Sequence, residues 1–329
     1  MIINFLGDIY LTSCVTIDPK LHLDNLVLSV EAPFTNNGNP ALNKVNLFMN
    51  SEFLFKTFSE KKIIAVNLSN NHIMDYGKEG FDYTINILEK NKIPFFGAGK
   101  IEDNFHNPVI IENKIALFGY TCKSTNGVFG DNENTGAAPF ELEKVEKDIK
   151  PYLRDYFVVI NIHWGKEHYS FPKPDDVIKA RSLIDKGVGL IIGNHPHKLQ
   201  SMEIYKGRYI FYSLGNSLFH NVNQESCFNG KEFTKSFIWN FPKKSRISSK
   251  VCHDTETCNV SCEFLYHDKD KVFPYRSSLL KFKNNIVLGS RCFSLYNFVK
   301  QNIIRLEYYL KEPELILNKI KNIFKGKIL

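Results

Sequence analysis

The stretch Gly187-Val-Gly-Leu-Ile-Ile-Gly-Asn-His-Pro-His197 decides how this chain is read. Gly187 ends a helix, and the apolar residues up to Gly193 form a short β-branched run of the kind that makes a buried strand. Two histidines leave that strand end on either side of one proline. Proline fixes its own φ and pushes the preceding residue out of the α region, so His195 and His197 sit on a stiffened loop. Ligands held in this way lose little entropy when a metal ion arrives. Taken alone, His-Pro-His fits equally well a turn carrying two solvated imidazoles. The rest of the chain separates the two readings, because other strand ends also carry Asp, Glu, Asn or His.

Working outward from there, residues 2–6 are an apolar run ending in Gly7-Asp8, and Leu26-Val-Leu-Ser-Val30 is another, followed at once by Glu31. Lys62-Ile-Ile-Ala-Val-Asn-Leu68 is a third. It ends in Ser69-Asn-Asn-His72, with Asp75-Tyr-Gly77 close behind, and the spacing of Phe81, Ile85 and Leu88 predicts a helix reaching Lys92. Residues 94–99 read as a strand entering a tight glycine turn, and 109–112 with 114–120 as a hairpin turned at Asn113. Residues 121–139 are polar and form a long loop that could lie over a site. A charged helix over 141–154 leads into Phe157-Val-Val-Ile-Asn-Ile162, whose end carries His163-Trp-Gly165 and Glu167. A helix over 174–186 then returns the chain to the opening stretch, and a hairpin through Lys206-Gly207 closes on Ser213-Leu-Gly-Asn216. Alternating strands and helices indicate an α/β fold, in which polar residues just past strand ends are where ligands bind.

At 329 residues, one large α/β domain with an appendage is the expected organisation. Apolar content of 43% and charged content of 23% are ordinary for a soluble globular protein. The net charge of +7 favours anionic partners only in a general way, and no nucleic-acid-binding signature is present. The N-terminus has neither a basic n-region nor an apolar h-region, and seven cysteines without a regular framework agree with a reducing cytoplasm, the expected location. Beyond residue 220 the texture changes. Residues 221–260 are polar and without clear period, and the spacing of Cys252, Cys258 and Cys262 around His253 misses the paired CxxC of a structural zinc site. The end is helical, with Val299, Ile303, Leu306 and Leu310 before Pro313, then Ile316, Ile320, Ile323 and Phe324 in an arc that leaves out Lys319, Lys321 and Lys325. Such helices suit packing on the main domain or peripheral contact with an anionic membrane. The expected division is therefore a site-bearing domain over 1–220 and a mostly helical extension with amphipathic basic helices over 221–329.

Asp8, Glu31, Asn71, His163, His195 and His197 follow five separate strand-like segments. This mix of oxygen and imidazole donors suits a divalent transition metal such as Zn, Mn or Fe. Six candidate ligands exceed what one tetrahedral ion needs, which leaves two ions or one six-coordinate ion open. His72 is then left over as a general acid, with Asp75 as its orienter.

These residues resemble the capsule-synthesis CapA family, also called the poly-γ-glutamate biosynthesis family, within the calcineurin-like metallophosphoesterase superfamily. The resemblance rests on Gly7-Asp8, Val30-Glu-Ala-Pro33, Leu68-Ser-Asn-Asn-His72 with Asp75-Tyr-Gly77, Gly97-Ala-Gly99, His163-Trp-Gly165 with Glu167, Gly193-Asn-His-Pro-His197 with Gln200 and Glu203, and Tyr212-Ser-Leu-Gly-Asn216. The pieces occur in family order across about residues 1–220. The resemblance implies a four-layer αββα sandwich. It implies that Asp8, Asn71, His163, His195 and His197 are metal ligands, that Glu31 stands where the superfamily has a bridging Asp, and that His72 matches its catalytic His. It also marks Glu167, Glu203 and Asn216 as substrate-contacting. The superfamily's opening Asp-x-His is absent, since Ile9 and Tyr10 follow Asp8. The implied activity is that of a metal-dependent hydrolase-like enzyme of capsule or surface-polysaccharide biosynthesis. It would act on a phosphoester or γ-glutamyl amide of a polymer precursor, with a biosynthetic ligase as partner. The alternative is a non-catalytic assembly partner of a capsule ligase or export complex that keeps the fold.

Overall fold

A computed structural model describes residues 1–277 and 287–311, with the backbone alone for 304–311. The strands in chain order begin with β1 (Ile2–Tyr10), β2 (Thr16–Ile17), β3 (Leu26–Val30), β4 (Ile63–Asn67), β5 (Phe95–Phe96) and β6 (Ala98–Gly99). β7 (Val109–Ile111), β8 (Ile115–Thr121), β9 (Gly136–Ala137), β10 (Phe157–His163), β11 (Leu190–Asn194), β12 (Met202–Tyr205), β13 (Arg208–Phe211) and β14 (Asn216–Phe219) follow. The last are β15 (Val222–Phe228), β16 (Phe233–Trp239), β17 (Ile247–Asp254), β18 (Val260–Asp268) and β19 (Lys271–Tyr275). Interspersed are helices α1 (Ser51–Thr57), α2 (Gly77–Lys90), α3 (Leu142–Ile149) and α4 (Pro174–Asp185). A nine-stranded sheet runs β2-β19-β18-β17-β1-β3-β4-β5, with β14 also pairing β1, and a six-stranded sheet runs β12-β13-β11-β10-β8-β7. The α/β class expected from the alternation of elements is the one observed.

Side-chain alternation divides each central strand between two cores. Leu28 and Val66 of the nine-stranded sheet pack with Leu54 of α1 and Phe81 and Leu88 of α2. Ile160, Ile162 and Ile191 of the six-stranded sheet pack with Val145 and Ile149 of α3 and Val177 and Leu183 of α4. The alternate residues Phe5, Val27 and Ala65 meet Leu117, Val159 and Ile192 in a third cluster drawn from both sheets. Parallel strands buried on both faces read as near-continuous apolar runs, which is why they were legible. Both hairpin turns have the positive φ that two-residue turns require, at Glu112 and Asn113 and at Lys206 and Gly207.

β1, β3 and β4 are mutually parallel, as are β8, β10 and β11, so their carboxyl ends share an edge in each sheet. Two glycines let these edges close on the 212–217 segment. A Cβ at Gly7 would lie 2.1 Å from the Gly215 carbonyl oxygen, and one at Gly193 would lie 2.0 Å from that of Tyr212. Only hydrogen fits at either position.

The division at residue 220 is corrected by the sheet itself. β17 pairs antiparallel with β1 in mid-sheet, setting Ile3 against His253 and Phe5 against Val251, and the compact unit runs Met1–Val287. Residues 222–275 are therefore largely strand and belong with the first 220. They escape a period-based reading because β17 buries Ser248, Ser249 and Lys250. The Lys250 ammonium is satisfied there by the Leu21 carbonyl at 2.6 Å and by Glu263 at 2.9 Å. The thiols around His253 form no metal cluster among the described residues; His253 instead stacks on Phe157 with centroids 4.3 Å apart. The charged helix expected over 141–154 ends at Ile149. A second unit begins at Leu288 and holds helix α5 (Ser290–Lys311), which exposes Leu295, Phe298, Val299 and Ile303. The second basic arc, 316–324, lies outside the described residues. Among those described, no helix is long and apolar enough to cross a membrane.

Truncation tests the correction. A chain ending at residue 287 is expected to melt cooperatively by circular dichroism, close to the full chain. One ending at residue 220 bares the β1 edge and is expected to be unfolded or insoluble. A cooperative full-length-like melt from the shorter fragment would refute the placement of β17.

Candidate metal centre and cleft

Six buried side chains from both sheets converge where the strand ends meet. Asp8 lies inside β1, where its register with β14 shifts and not past the strand's end as expected, Glu31 follows β3, Asn71 follows β4, His163 closes β10, and His195 and His197 follow β11. One Asp8 oxygen accepts the His195 backbone N–H at 3.2 Å and lies 3.5 Å from His197 Nδ1. Glu31 Oε1 lies 3.5 Å from His163 Nε2 and 3.8 Å from His197 Nε2. His163 Nε2 is 2.7 Å from Asn71 Oδ1 and 3.1 Å from His195 Nδ1. Glu31 thus stands between two groups of donors, Asp8 with His197 on one side and His163, Asn71 and His195 on the other. Asp8, Glu31 and His163 offer ligand atoms all within 4.8 Å of one another.

The electrostatics of the cluster suit a cation. Asp8 Oδ1 and Glu31 Oε1 are buried without a hydrogen-bond partner among the described residues. Burial pushes the Asp8 carboxyl up to about 7. Burial first, and then the nearby charge of Asp8, hold Glu31 well above the usual range. Burial also drives the imidazoles the other way, His195 to about 3 and His163 and His197 well below the ordinary histidine value. Neutral imidazoles keep a lone pair for a metal, and paired carboxylates short of donors need positive charge. Donors each about 2.0–2.2 Å from one ion sit about 3–3.5 Å from each other, the spacing of Glu31 Oε1 from His163 Nε2 at 3.5 Å and of His163 Nε2 from His195 Nδ1 at 3.1 Å. The residues fit a divalent transition metal.

Local sequence explains how they are aimed. His195 and His197 both adopt positive φ, 94° and 51°, an uncommon backbone for non-glycine residues that clusters at functional sites. Asn216 Oδ1 lies 2.9 Å from His197 Nδ1, which assigns the proton to that nitrogen and leaves Nε2 facing Glu31. The Asn70-Asn71 pair divides its labour. The Asn70 side-chain carbonyl accepts from the His72 and Ile73 backbone N–H groups at 2.8 and 2.7 Å, while its amide donates to Val30 O at 2.7 Å. Asn70 builds the turn, and Asn71 is free to reach His163.

His72 lines an adjoining cleft of about 320 Å³. Its Nδ1 is 2.5 Å from Asp75 Oδ2, an oxygen that also accepts the Leu47 N–H at 2.7 Å. Asp75 Oδ1 is 2.6 Å from Lys44 Nζ, which donates in turn to the Asn71 carbonyl at 2.6 Å. Lys44 went unread in the sequence. It sits in a polar segment without period, and nothing local marks it. The cleft is completed by Thr125 and Asn126 of the 121–139 loop, by Glu167, and by Phe237 and Trp239 of the β15–β16 hairpin. That hairpin lies in the stretch that read as featureless.

The other expected site residues separate. Glu167 lies in the cleft, but Asn216 is buried behind His197 and positions it. Glu203 takes part elsewhere, with Arg181 Nη2 and the Tyr212 hydroxyl each 2.6 Å from its carboxylate oxygens, and it does not line the cleft. Tyr10, in the place of the superfamily's histidine, packs on Phe219 with centroids 5.2 Å apart and supplies no donor to the cluster.

The family profile described as "Bacterial capsule synthesis protein PGA_cap" matches residues 20–221, a span that takes in every residue of the cluster except Asp8. The chain is 33% identical over 173 residues to the capsule biosynthesis protein CapA of Bacillus anthracis, covering 50% of this chain and 42% of that one. It is 31% identical over 181 residues to the PGA biosynthesis protein CapA of Bacillus subtilis, covering 54% and 47%. A probable polyglutamine synthesis accessory protein of Mycobacterium tuberculosis is 25% identical over 167 residues, covering 45% and 43%. The matched part thus spans about half the length of these curated relatives.

Two measurements check the site. Purified protein should carry a first-row transition metal by elemental analysis, and replacing His195 and His197 together with alanine should remove most of it; full metal content in that variant would rule the site out. Lys44→Met strips the buried Asp75 of its countercharge and should cost about 3 kcal/mol in denaturant unfolding. An unchanged midpoint would show that Asp75 does not depend on Lys44.

Proposed function

The chain belongs to the bacterial capsule synthesis family PGA_cap, and from that premise we propose that it is a metal-dependent hydrolase-like enzyme of capsule or surface-polymer biosynthesis. The bond it cuts is a phosphoester or a γ-glutamyl-type amide in a polymer precursor, and a biosynthetic ligase is the natural partner. Within this reading, the three apolar cores are the interfaces of a four-layer αββα sandwich of the metallophosphoesterase kind. The absence of disulfides among its seven cysteines suits a reducing cytoplasm, and α5 with the basic residues after it is a candidate for peripheral contact with an anionic membrane.

One observation carries the catalytic reading. His72 adjoins the donor cluster and lines the cleft, but its Nδ1 is committed to Asp75. Asp75 accepts the Nδ1–H, so Nε2 is the nitrogen that exchanges a proton with a ligand in the cleft. Lys44 balances the charge of Asp75 and, through the Asn71 carbonyl, ties this pair to the loop that carries Asn71. Asp8, Glu31, Asn71, His163, His195 and His197 would hold Mn, Zn or Fe, one ion or two, which when bound supplies Lewis acidity and charge neutralisation at the reacting centre. As an imidazolium whose Nδ1–H is held by Asp75, His72 would give its Nε2 proton to the departing oxygen or nitrogen and be left as the neutral ring. The rival, a non-catalytic partner of a ligase or export complex, draws on Tyr10 standing where the superfamily has an imidazole.

His72→Ala should keep its metal while turnover of poor leaving groups falls roughly 10²–10⁴-fold. The defect should shrink on an activated aryl ester, which needs no proton. A phosphoester and γ-glutamyl-amide panel, run beside elemental analysis, checks this. Metal loss in parallel with activity would remove His72 from the acid role, and a fully metallated wild type inert on every substrate would favour the rival.

A further inference from the structure

The six donor side chains are each no more than 5% exposed, so an ion reaches them only through an opening in the wall around them. Asn71 and His197 are the two donors that also line the cleft, which makes the cleft the approach to the centre. Trp239 stands at that approach. Its ring meets the His197 imidazole edge-on with centroids 5.3 Å apart, and it meets the His168 ring edge-on at 4.5 Å. His168 belongs to the loop after β10, and its N–H donates to the Pro196 carbonyl at 2.7 Å. The indole therefore bridges the β15–β16 hairpin and the loop after β10, against the ring of a donor. Phe241 packs on it at 4.0 Å, and Phe219 completes the aromatic surround of His197 at 4.9 Å.

The strand beneath the indole is fixed. Trp239 pairs with Val222, Val222 and Phe241 are buried in the core, and the Phe241 N–H donates to Asn221 Oδ1 at 3.0 Å. A half-buried ring on such a strand turns aside at the cost of its packing contacts, without the strand unfolding. The apolar shell around a metal site controls access to it. We propose that Trp239 gates the metal centre: its ring bars the passage between the cleft and His197 and sets how fast a divalent ion enters and leaves. The inference rests on the donor cluster holding such an ion, and not on which bond is hydrolysed. A gate differs in kind from a support. A group that orients a ligand, as Asn216 does for His197, costs about 10–100-fold in metal affinity when it is lost. A barrier crossed in both directions changes entry and exit by the same factor and leaves the equilibrium where it was.

The test uses the full chain and Co²⁺, whose visible absorption reports its binding to the donors. Uptake is followed by stopped-flow mixing of metal-free protein with Co²⁺. Release is followed by mixing the loaded protein with excess EDTA at two concentrations, where a rate independent of the chelator is that of dissociation. A competition titration gives the affinity. Trp239→Ala should speed uptake and release alike, each about tenfold, and leave the dissociation constant within about threefold of the wild type. Trp239→Phe keeps a ring with a shorter reach, so its rates should fall between the two. It carries the test by itself if circular dichroism shows the alanine variant unfolded. Unchanged rates in the variants that fold, or weakened affinity with uptake unchanged, would overturn the gate and leave the metal centre standing. A wild type that binds no Co²⁺ would overturn both. Exchange that follows the ring in a protein inert on every phosphoester and amide removes the hydrolase reading and keeps the gate.

Discussion

Asp8 and Glu31 are buried together at the meeting point of two sheets, with oxygens that no hydrogen bond satisfies among the described residues. Burying two carboxylates side by side costs several kcal/mol per charge unless a cation or a dense set of donors answers them. The surroundings supply few donors. They supply imidazoles that burial keeps neutral and an amide oxygen from Asn71, all of which are themselves electron-pair donors. A cluster made almost wholly of acceptors is unfavourable by itself and favourable around a positive ion. The parallel register of β1 with β3, the tight turn at Asn70 and the positive-φ backbone of His195 and His197 all hold that arrangement in place.

Fold and chemistry are joined most tightly along residues 212–217. This segment passes the ends of β1 and β11 so closely that Gly7 and Gly193 have no room for a side chain. In the same passage it delivers Asn216 to His197, gives the Gly7 N–H a partner in Ser217 Oγ at 2.8 Å, and accepts the Trp164 indole N–H at the Tyr212 carbonyl. The apparent substrate residue Asn216 is therefore a support for a donor. Glu203, a few residues earlier, supports Arg181 and Tyr212 on the flank of the fold.

The cleft wall comes from two regions far apart in sequence that are bonded to each other. The Asn43 N–H donates to the Phe228 carbonyl at 2.9 Å, and the Cys227 N–H donates to the Lys44 carbonyl at 3.0 Å. The segment that neutralises Asp75 is thus strapped to the hairpin that presents Phe237 and Trp239. The loop that holds Lys44 on Asp75 and the aromatic wall of the cleft therefore share one scaffold.

What the sequence determined by itself is what depends on neighbours in the chain. Apolar runs in β1, β3, β4, β10 and β11, the turn residues at Asn113 and Lys206-Gly207, and the polar residue following each apolar run were legible, because period and turn chemistry are local, although β1 continues past Asp8 to Tyr10. The donor cluster followed, since parallel strands bring their carboxyl ends to one edge. Tertiary structure alone decided the rest. β17 reads as polar because it buries Ser248, Ser249 and Lys250, and the Lys250 ammonium finds its partners only in other segments, at Leu21 and Glu263. Lys44 acquires a role only when Asp75, 31 positions away, is folded against it at 2.6 Å. Glu203 and Asn216 looked alike as polar residues near a motif, and only their partners, Arg181 for one and His197 for the other, set them apart. A buried charge or amide is defined by what it pairs with, and pairing across the chain leaves no period to read.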